Sequence, residues 1–215
     1  YAAYRSLPVY MPGAQQSFAY DSARGIQFRT IIRQVDDMLL ISNATSFSNK
    51  HYLNDVRRRI DRAAALGYAE LKQRHEADYK ALYCRFSLDL GTTDPKIAAL
   101  PTDMQLRLNS DESTFNPDLE ELYVQYGRYL LIACSRTHGV PANLQGLWNE
   151  EILPPWSSNY TTNINLEENY WLAEPTGLGD LHRQTLLAWL QRVRVNGERC
   201  ARDYYGVNKG WCLGP

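Results

Sequence analysis

The chain has 215 residues, 44% hydrophobic and 22% charged, the balance of a globular protein long enough to bury a core. A formal net charge of -1 argues against a nucleic-acid binder, which needs a basic face, and no run approaches the roughly eighteen apolar residues of a membrane span. The densest basic run, Arg57-Arg58-Arg59 with Arg62, is interleaved with Asp55 and Asp61 and reads as a solvated helix face.

Residues 1–48 read as β structure. After the turn signal Ser22-Ala23-Arg24-Gly25, Ile26, Phe28, Thr30 and Ile32 alternate with Gln27, Arg29, Ile31 and Arg33, and Met38-Leu39-Leu40-Ile41 suits a buried strand. So few strands form no sheet alone and read as the tail of a larger β domain. From 49 to about 84 the period becomes helical: Val56, Ile60 and Ala63 mark one helix, and a second begins near Tyr68 after Leu66-Gly67. Glu70 with Arg74 and Glu76 with Lys80 are i,i+4 pairs, each contributing about 0.3 kcal/mol. Phe86 to Leu90 alternates as a short strand, and the region to 115 reads as connector.

Leu119, Leu122, Tyr123, Tyr126 and Leu130 predict an amphipathic helix from Asn116-Pro117 to near Gly139. Next comes a long irregular stretch, and Leu178, Leu181, Leu187, Leu190 and Val193 then mark another helix. Asn196-Gly197 is expected to separate that helix from a last one ending at Tyr205-Gly206. A helix, a long loop and two further helices are the expected opening of a helical barrel.

The irregular stretch, 143–171, holds three of the five tryptophans and six asparagines, with no Lys or Arg. Carboxamides donate and accept without charge and aromatic rings offer flat apolar faces, which suits a neutral hydroxylated ligand such as a sugar. Trp148 and Trp156 are candidates to stack on a sugar or to pack under the rim, whereas Trp171 and Tyr170 are expected in the core. Asn163 and Asn165, if extended, would turn two carboxamides to one side, with Ile164 packed behind. Alternatively they close local Asx turns. His75, His138 and His182 read as structural, and Glu167, Glu168 and Glu174 as helix-start or supporting carboxylates. The scattered Cys84, Cys134, Cys200 and Cys212 form no CxxC and no metal-ligand spacing, so structural thiols are expected, a disulfide being open but not indicated, and no metal or cofactor.

Several segments together resemble the glycoside hydrolase family 95 α-L-fucosidases. They are Gln125-Tyr126-Gly127-Arg128-Tyr129-Leu130, Pro141-Ala142-Asn143-Leu144-Gln145-Gly146-Leu147-Trp148-Asn149, Pro154-Pro155-Trp156, Tyr160-Thr161-Thr162-Asn163-Ile164-Asn165 and Asn169-Tyr170-Trp171. Ala201-Arg202-Asp203-Tyr204-Tyr205-Gly206 with Gly210-Trp211 looks like the approach to that family's next barrel motif. Leu66-Gly67-Tyr68 through Tyr79, and Ser87-Leu88-Asp89-Leu90-Gly91, look like its linker.

The resemblance implies a mostly α fold with an N-terminal β portion. Residues 1–48 would be the end of a β-sandwich, 49–115 a helical linker with a short strand, and 116–215 the opening helices of an (α/α)6 barrel. It also implies an inverting exo-glycosidase acting on fucosylated or L-galactosylated oligosaccharides or polysaccharides, in which Asn163 and Asn165 orient the attacking water. The general acid and the partner carboxylate would lie beyond Pro215, so this stretch alone is expected to be inactive. Fucosidases of the family carry His where Thr161 stands, and the smaller hydroxylated side chain could admit the extra hydroxyl of L-galactose. Competing readings are another sandwich-and-barrel enzyme, such as a disaccharide phosphorylase, and an inactive carbohydrate-binding relic. The family's substrates imply a periplasmic or secreted location. Asn43-Ala44-Thr45 and Asn159-Tyr160-Thr161 are sequons that matter only in a eukaryotic secretory setting.

Overall fold

A computed structural model describes residues 26–47, 49–110, 114–151 and 153–214, so the turn signal at 22–25 lies outside the described residues. The chain divides into two compact units, residues 1–78 and 79–215. It is mostly helical, with one two-stranded antiparallel sheet among the described residues.

In the first unit β1 (Phe28–Val35) and β2 (Met38–Thr45) pair from Phe28↔Thr45 to Val35↔Met38. The turn is Asp36-Asp37, with Asp36 at φ 52°, a left-handed conformation that Asp tolerates better than most residues. Helix α1 (Tyr52–Tyr83) begins beside this hairpin. Its Val56 and Ile60 are fully buried, while Arg33 of β1 donates to Asp61 at 2.7 Å and Arg59 to the Asn43 carbonyl at 3.3 Å. That choice of face corrects the expectation of a buried Met38–Ile41 strand. Ile31, Arg33, Val35, Met38 and Leu40 are half-buried, whereas Phe28, Ile32, Leu39 and Ile41 stand 64–76% exposed. A two-stranded ribbon has a second face, and no described residue of this unit covers it.

Gly67, at φ 73° and ψ 169°, interrupts α1 where the sequence predicts one helix to stop and another to start. In the second half Arg74 donates to Glu70 at 2.6 Å, as its spacing predicts, and Lys72 lies 3.8 Å from Glu76.

In the second unit Phe86–Leu90 is not the expected strand. It finds no ladder partner among the described residues, and the Leu90 N–H is taken instead by the Glu121 carboxylate at 2.6 Å. The connector contains two short helices that apolar periodicity did not reveal, α2 (Pro95–Ala98) and α3 (Thr102–Asn109), neither of which buries a residue. Asn116, fully buried, caps α4 (Pro117–Cys134): its Oδ1 accepts the Leu119 N–H at 3.0 Å and the Thr93 hydroxyl at 2.7 Å, and its Nδ2 donates to Gln105 at 2.9 Å. The helix ends at Cys134, five residues before the glycine expected to stop it.

Past the loop come α5 (Asn165–Trp171) and α6 (Gly179–His182). A π turn (Arg183–Leu187) leads without a break into α7 (Ala188–Tyr205). Helix α7 runs straight through Asn196-Gly197, so no boundary exists there. Gly197 is a point of close approach: a Cβ would lie 2.9 Å from the Trp211 ring and 2.9 Å from the Cys212 carbonyl oxygen.

The core of this unit gathers Leu131 and Ile132 of α4, Leu166 and Tyr170 of α5, and Leu178, Leu181 and Leu186 around α6. Within it Arg128 of α4 is completely buried without a carboxylate partner among the described residues. Its guanidinium donates to the carbonyls of Tyr83 (3.0 Å), Leu82 (3.2 Å) and Thr176 (3.2 Å) and to Gln125 Oε1 (2.7 Å), and it lies over the rings of Tyr83 and Phe86. Two of those carbonyls end α1, where unpaired C=O groups collect and a cation is favourable.

Candidate active site

Tyr170 anchors the asparagine-rich loop to α5. Its hydroxyl accepts the Ala142 N–H at 2.8 Å and sits 2.9 Å from Ser135 Oγ and 3.1 Å from Thr185 Oγ1. The residue is 3% exposed, and burial pushes the phenol above its ordinary range, which keeps it a neutral hydrogen-bonding group. Its ring stacks on His182, centroids 5.5 Å apart, and His182 Nδ1 is 3.0 Å from Glu174 Oε1. Both residues thus have the supporting contacts their sequence positions suggest.

The loop then consumes most of its own carboxamides. Asn143 Oδ1 accepts the Gln145 N–H at 3.1 Å and the Ser158 hydroxyl at 3.2 Å, and Asn169 Nδ2 donates to the Asn143 carbonyl at 3.1 Å. Asn149 exchanges two 3.0 Å bonds with the backbone of Glu151, and Asn159 Oδ1 accepts the Thr161 hydroxyl. The side chains of Asn163 and Asn165 make no hydrogen bond among the described residues.

Their backbone corrects the extended geometry expected for them. Asn163 lies in a turn closed by the Leu166 N–H on the Thr161 carbonyl at 3.2 Å, and Asn165 is the first residue of α5. Ile164, at φ −159° and ψ −43°, is 38% exposed and does not pack behind them. The period-2 alternation that would put both carboxamides on one side is therefore absent. A helix start wins locally because Leu166 and Tyr170, four apart, reach the core only in a helix.

Helical spacing gives Asn165 different neighbours. It shares a face with Glu168, Asn169 and Leu172, at i+3, i+4 and i+7. Those three help line a cleft of about 400 Å³, whose floor is α4 and whose opposite wall carries Gln145 and Trp148. Gln145 Oε1 is buried there with no partner among the described residues. Trp148 is 50% exposed and closes over Gly146, where a Cβ would fall 2.7 Å from its ring. For Glu168 and Asn169 the signal in the sequence is their helical spacing from Asn165, whereas Gln145, in the loop, carries no such signal.

Trp156 is 67% exposed and does not line this cleft. It opens a left-handed turn in which Trp156, Ser157 and Ser158 all have φ between 45° and 55°, and Thr161 follows at φ 50°. Non-glycine residues are strained there by about 1–2 kcal/mol each, so the surroundings must hold this backbone in place. Trp171, expected in the core, is 65% exposed, because α5 turns Leu166 and Tyr170 inward instead. No group of three or more His, Cys, Asp or Glu among the described residues is arranged to hold a metal.

Comparison with known proteins covers this same region. "Probable alpha-fucosidase A" of Aspergillus niger is 36% identical over 166 residues, 77% of this chain and 21% of that protein. "Alpha-L-fucosidase 2" of Arabidopsis thaliana is 38% identical over 154 residues, 71% of this chain and 18% of its own length. "Probable alpha-fucosidase A" of Aspergillus oryzae is 36% identical over 151 residues, 69% of this chain and 21% of its own. The chain thus spans about a fifth of the length of the curated relatives it matches. The model of the glycosyl hydrolase family 95 catalytic domain matches residues 67–214, more than half of the chain, and the chain belongs to that family.

Proposed function

We propose that this chain is part of an inverting exo-glycosidase that releases terminal α-L-fucose, or α-L-galactose, from oligosaccharides or polysaccharides outside the cytoplasm. Residues 1–48 are the end of a β-sandwich, 49–115 the linker, and 116–215 the opening of an (α/α)6 barrel. The observation that carries the catalytic part is the contrast among the six asparagines of the loop. Four are engaged in holding it together, whereas the carboxamides of Asn163 and Asn165 are left without partners.

In this mechanism the Asn163 and Asn165 carboxamide oxygens accept hydrogen bonds from one water and aim its lone pair at the anomeric carbon. One of the two water protons leaves through the carboxamide that holds it, whose N–H passes a proton on to a carboxylate from another part of the protein, and a carboxylic acid protonates the departing oxygen on the opposite face. Positioning of this kind lowers the barrier by fixing the approach before reaction. Trp148 and Trp156 offer flat faces to the sugars. Thr161, its hydroxyl proton given to Asn159, keeps lone pairs for the 6-hydroxyl that L-galactose has and L-fucose lacks.

The test uses the complete protein on aryl α-L-fucoside and aryl α-L-galactoside, with NMR of the first-formed anomer. Inversion is expected, with a loss of about 10²-fold or more in kcat for Asn163→Ala and for Asn165→Ala at little change in KM. Retention of configuration, or near-normal turnover by both variants, would remove the water-orienting role. A strong preference of the complete protein for the fucoside would remove the galactose reading, and turnover by the 215-residue chain alone would remove the need for outside carboxylates.

A further inference from the structure

Beyond α7 the chain doubles back over the helix it has just left. The Val207 N–H bonds the Ala201 carbonyl at 3.1 Å, and the Cys212 N–H bonds the Gly197 carbonyl at 3.2 Å. Only a residue without Cβ lets the returning chain come this close, as the 2.9 Å clearances at Gly197 show. Cys200 lies three residues along α7 from Gly197, hence on the same face one turn away. The return therefore sets Cys212 down beside Cys200.

Both cysteines are half-buried, so a small oxidant can reach them. The other two differ: Cys134 is buried beside Ser135 Oγ at 3.8 Å, and Cys84 is exposed on the far side of the sequence from any thiol contact among the described residues. The Cys212 thiol is pushed above its ordinary range, first by its hydrogen bond with the Cys200 thiol and then by burial. The 3.2 Å bond from the Cys212 N–H to the Gly197 carbonyl, one turn before Cys200, makes the two cysteines neighbours.

We propose that Cys200 and Cys212 are a disulfide pair that staples the segment after α7 to the helix. With a small-molecule disulfide as oxidant, a Cys200 or Cys212 thiolate attacks one of its sulfurs and expels one small thiol. The second cysteine then attacks the mixed disulfide and expels the other. One protein S–S bond forms, one small-molecule S–S bond breaks, and the two S–H protons and two electrons end in the two small thiols. The staple acts on more than the tail. Thr162, immediately before Asn163, donates its hydroxyl to the Gly214 carbonyl, and Trp211 and Leu213 face Leu186 and Leu190 across a small cleft. Fixing Cys212 therefore fixes the segment that braces the turn carrying Asn163. The disulfide is independent of the glycosidase reading, since it rests on the α7 return alone.

The experiment is a thiol map of the complete protein, reduced, then incubated with oxidised glutathione, quenched with an alkylating agent, digested and weighed. The expected product is one cross-linked peptide pair holding Cys200 and Cys212, lighter by two hydrogens than the reduced pair, with Cys84 and Cys134 not cross-linked to either. Recovery of both Cys200 and Cys212 as alkylated peptides or as separate glutathione adducts, or either linked to a different cysteine, would overturn the proposal. The map is read on the unmutated protein, so it stands whether or not a variant folds. Cys200→Ser adds a second reading: Cys212 should then be recovered alkylated or as a glutathione adduct, and a surviving cross-link at Cys212 would count against the pair.

Discussion

Helix α5 has two unlike sides. One carries Leu166 and Tyr170, 2% and 3% exposed, and its polar atom is fully engaged, the Tyr170 hydroxyl holding Ala142, Ser135 and Thr185 at once. The other carries Asn165, preceded by Asn163 in the turn, whose carboxamides have no partner among the described residues. A buried polar atom without a partner costs about 1–3 kcal/mol, so the inward side must be complete for the protein to fold. Asn163 is exposed and Asn165 half-buried, and a carboxamide open to water bonds it at little cost, so folding places no comparable demand on either and leaves them available to a ligand.

That difference can be broken at several points. The largest loss of stability is expected at Arg128, whose two terminal guanidinium nitrogens make four hydrogen bonds in this core. Arg128→Leu strands two buried carbonyls, a part-buried one and a glutamine, and chemical denaturation should show a loss of about 3–5 kcal/mol. Tyr170→Phe keeps the ring and its stacking on His182 but orphans the Ala142 N–H, for about 1–3 kcal/mol. Gly197→Ala forces a methyl against the Cys212 carbonyl and the Trp211 ring, and about 1–3 kcal/mol of overpacking strain should appear in the same measurement.

On the outward side, Asn163→Ala and Asn165→Ala should change stability by no more than about 0.5 kcal/mol, even where activity falls steeply. If either costs as much as Tyr170→Phe, the two sides of α5 are not energetically distinct. The smallest effect concerns the exposed Arg85–Asp180 pair, 2.7 Å apart. The hydrogen bond from Arg85 holds the Asp180 carboxyl below its ordinary value of 3.8. A depressed folded pKa contributes stability above the unfolded pKa and loses it as pH falls through the folded one. Because Asp180 is 61% exposed, Asp180→Asn should cost only a few tenths of a kcal/mol at pH 7, and nothing once pH is below both values.

Much of this could be read from the residues. The Asn116-Pro117 start of α4, the interruption at Gly67, the Glu70–Arg74 pair and the buried Tyr170 all follow from local rules of capping, backbone freedom and period. The same rules misread places where a partner decides. Phe86–Leu90 has a strand's alternation but no neighbouring strand, and Glu121 takes the Leu90 N–H instead. Trp171 looks apolar enough for the core, yet Leu166 and Tyr170 already occupy the inward face of a seven-residue helix. Nothing in α2 or α3 is buried, so neither short helix left an apolar stripe to find.

By itself, the sequence determined the family, through its aromatic and asparagine motifs, and the helices long enough to show a period. The tertiary structure alone decided how Asn163 and Asn165 are held, which face of the hairpin is covered, and why a glycine stands inside α7. Periodicity and capping are properties of neighbouring residues in one chain segment. A carboxamide left unbonded, a hairpin face left open and a glycine pressed by a returning chain depend on what the rest of the fold brings alongside.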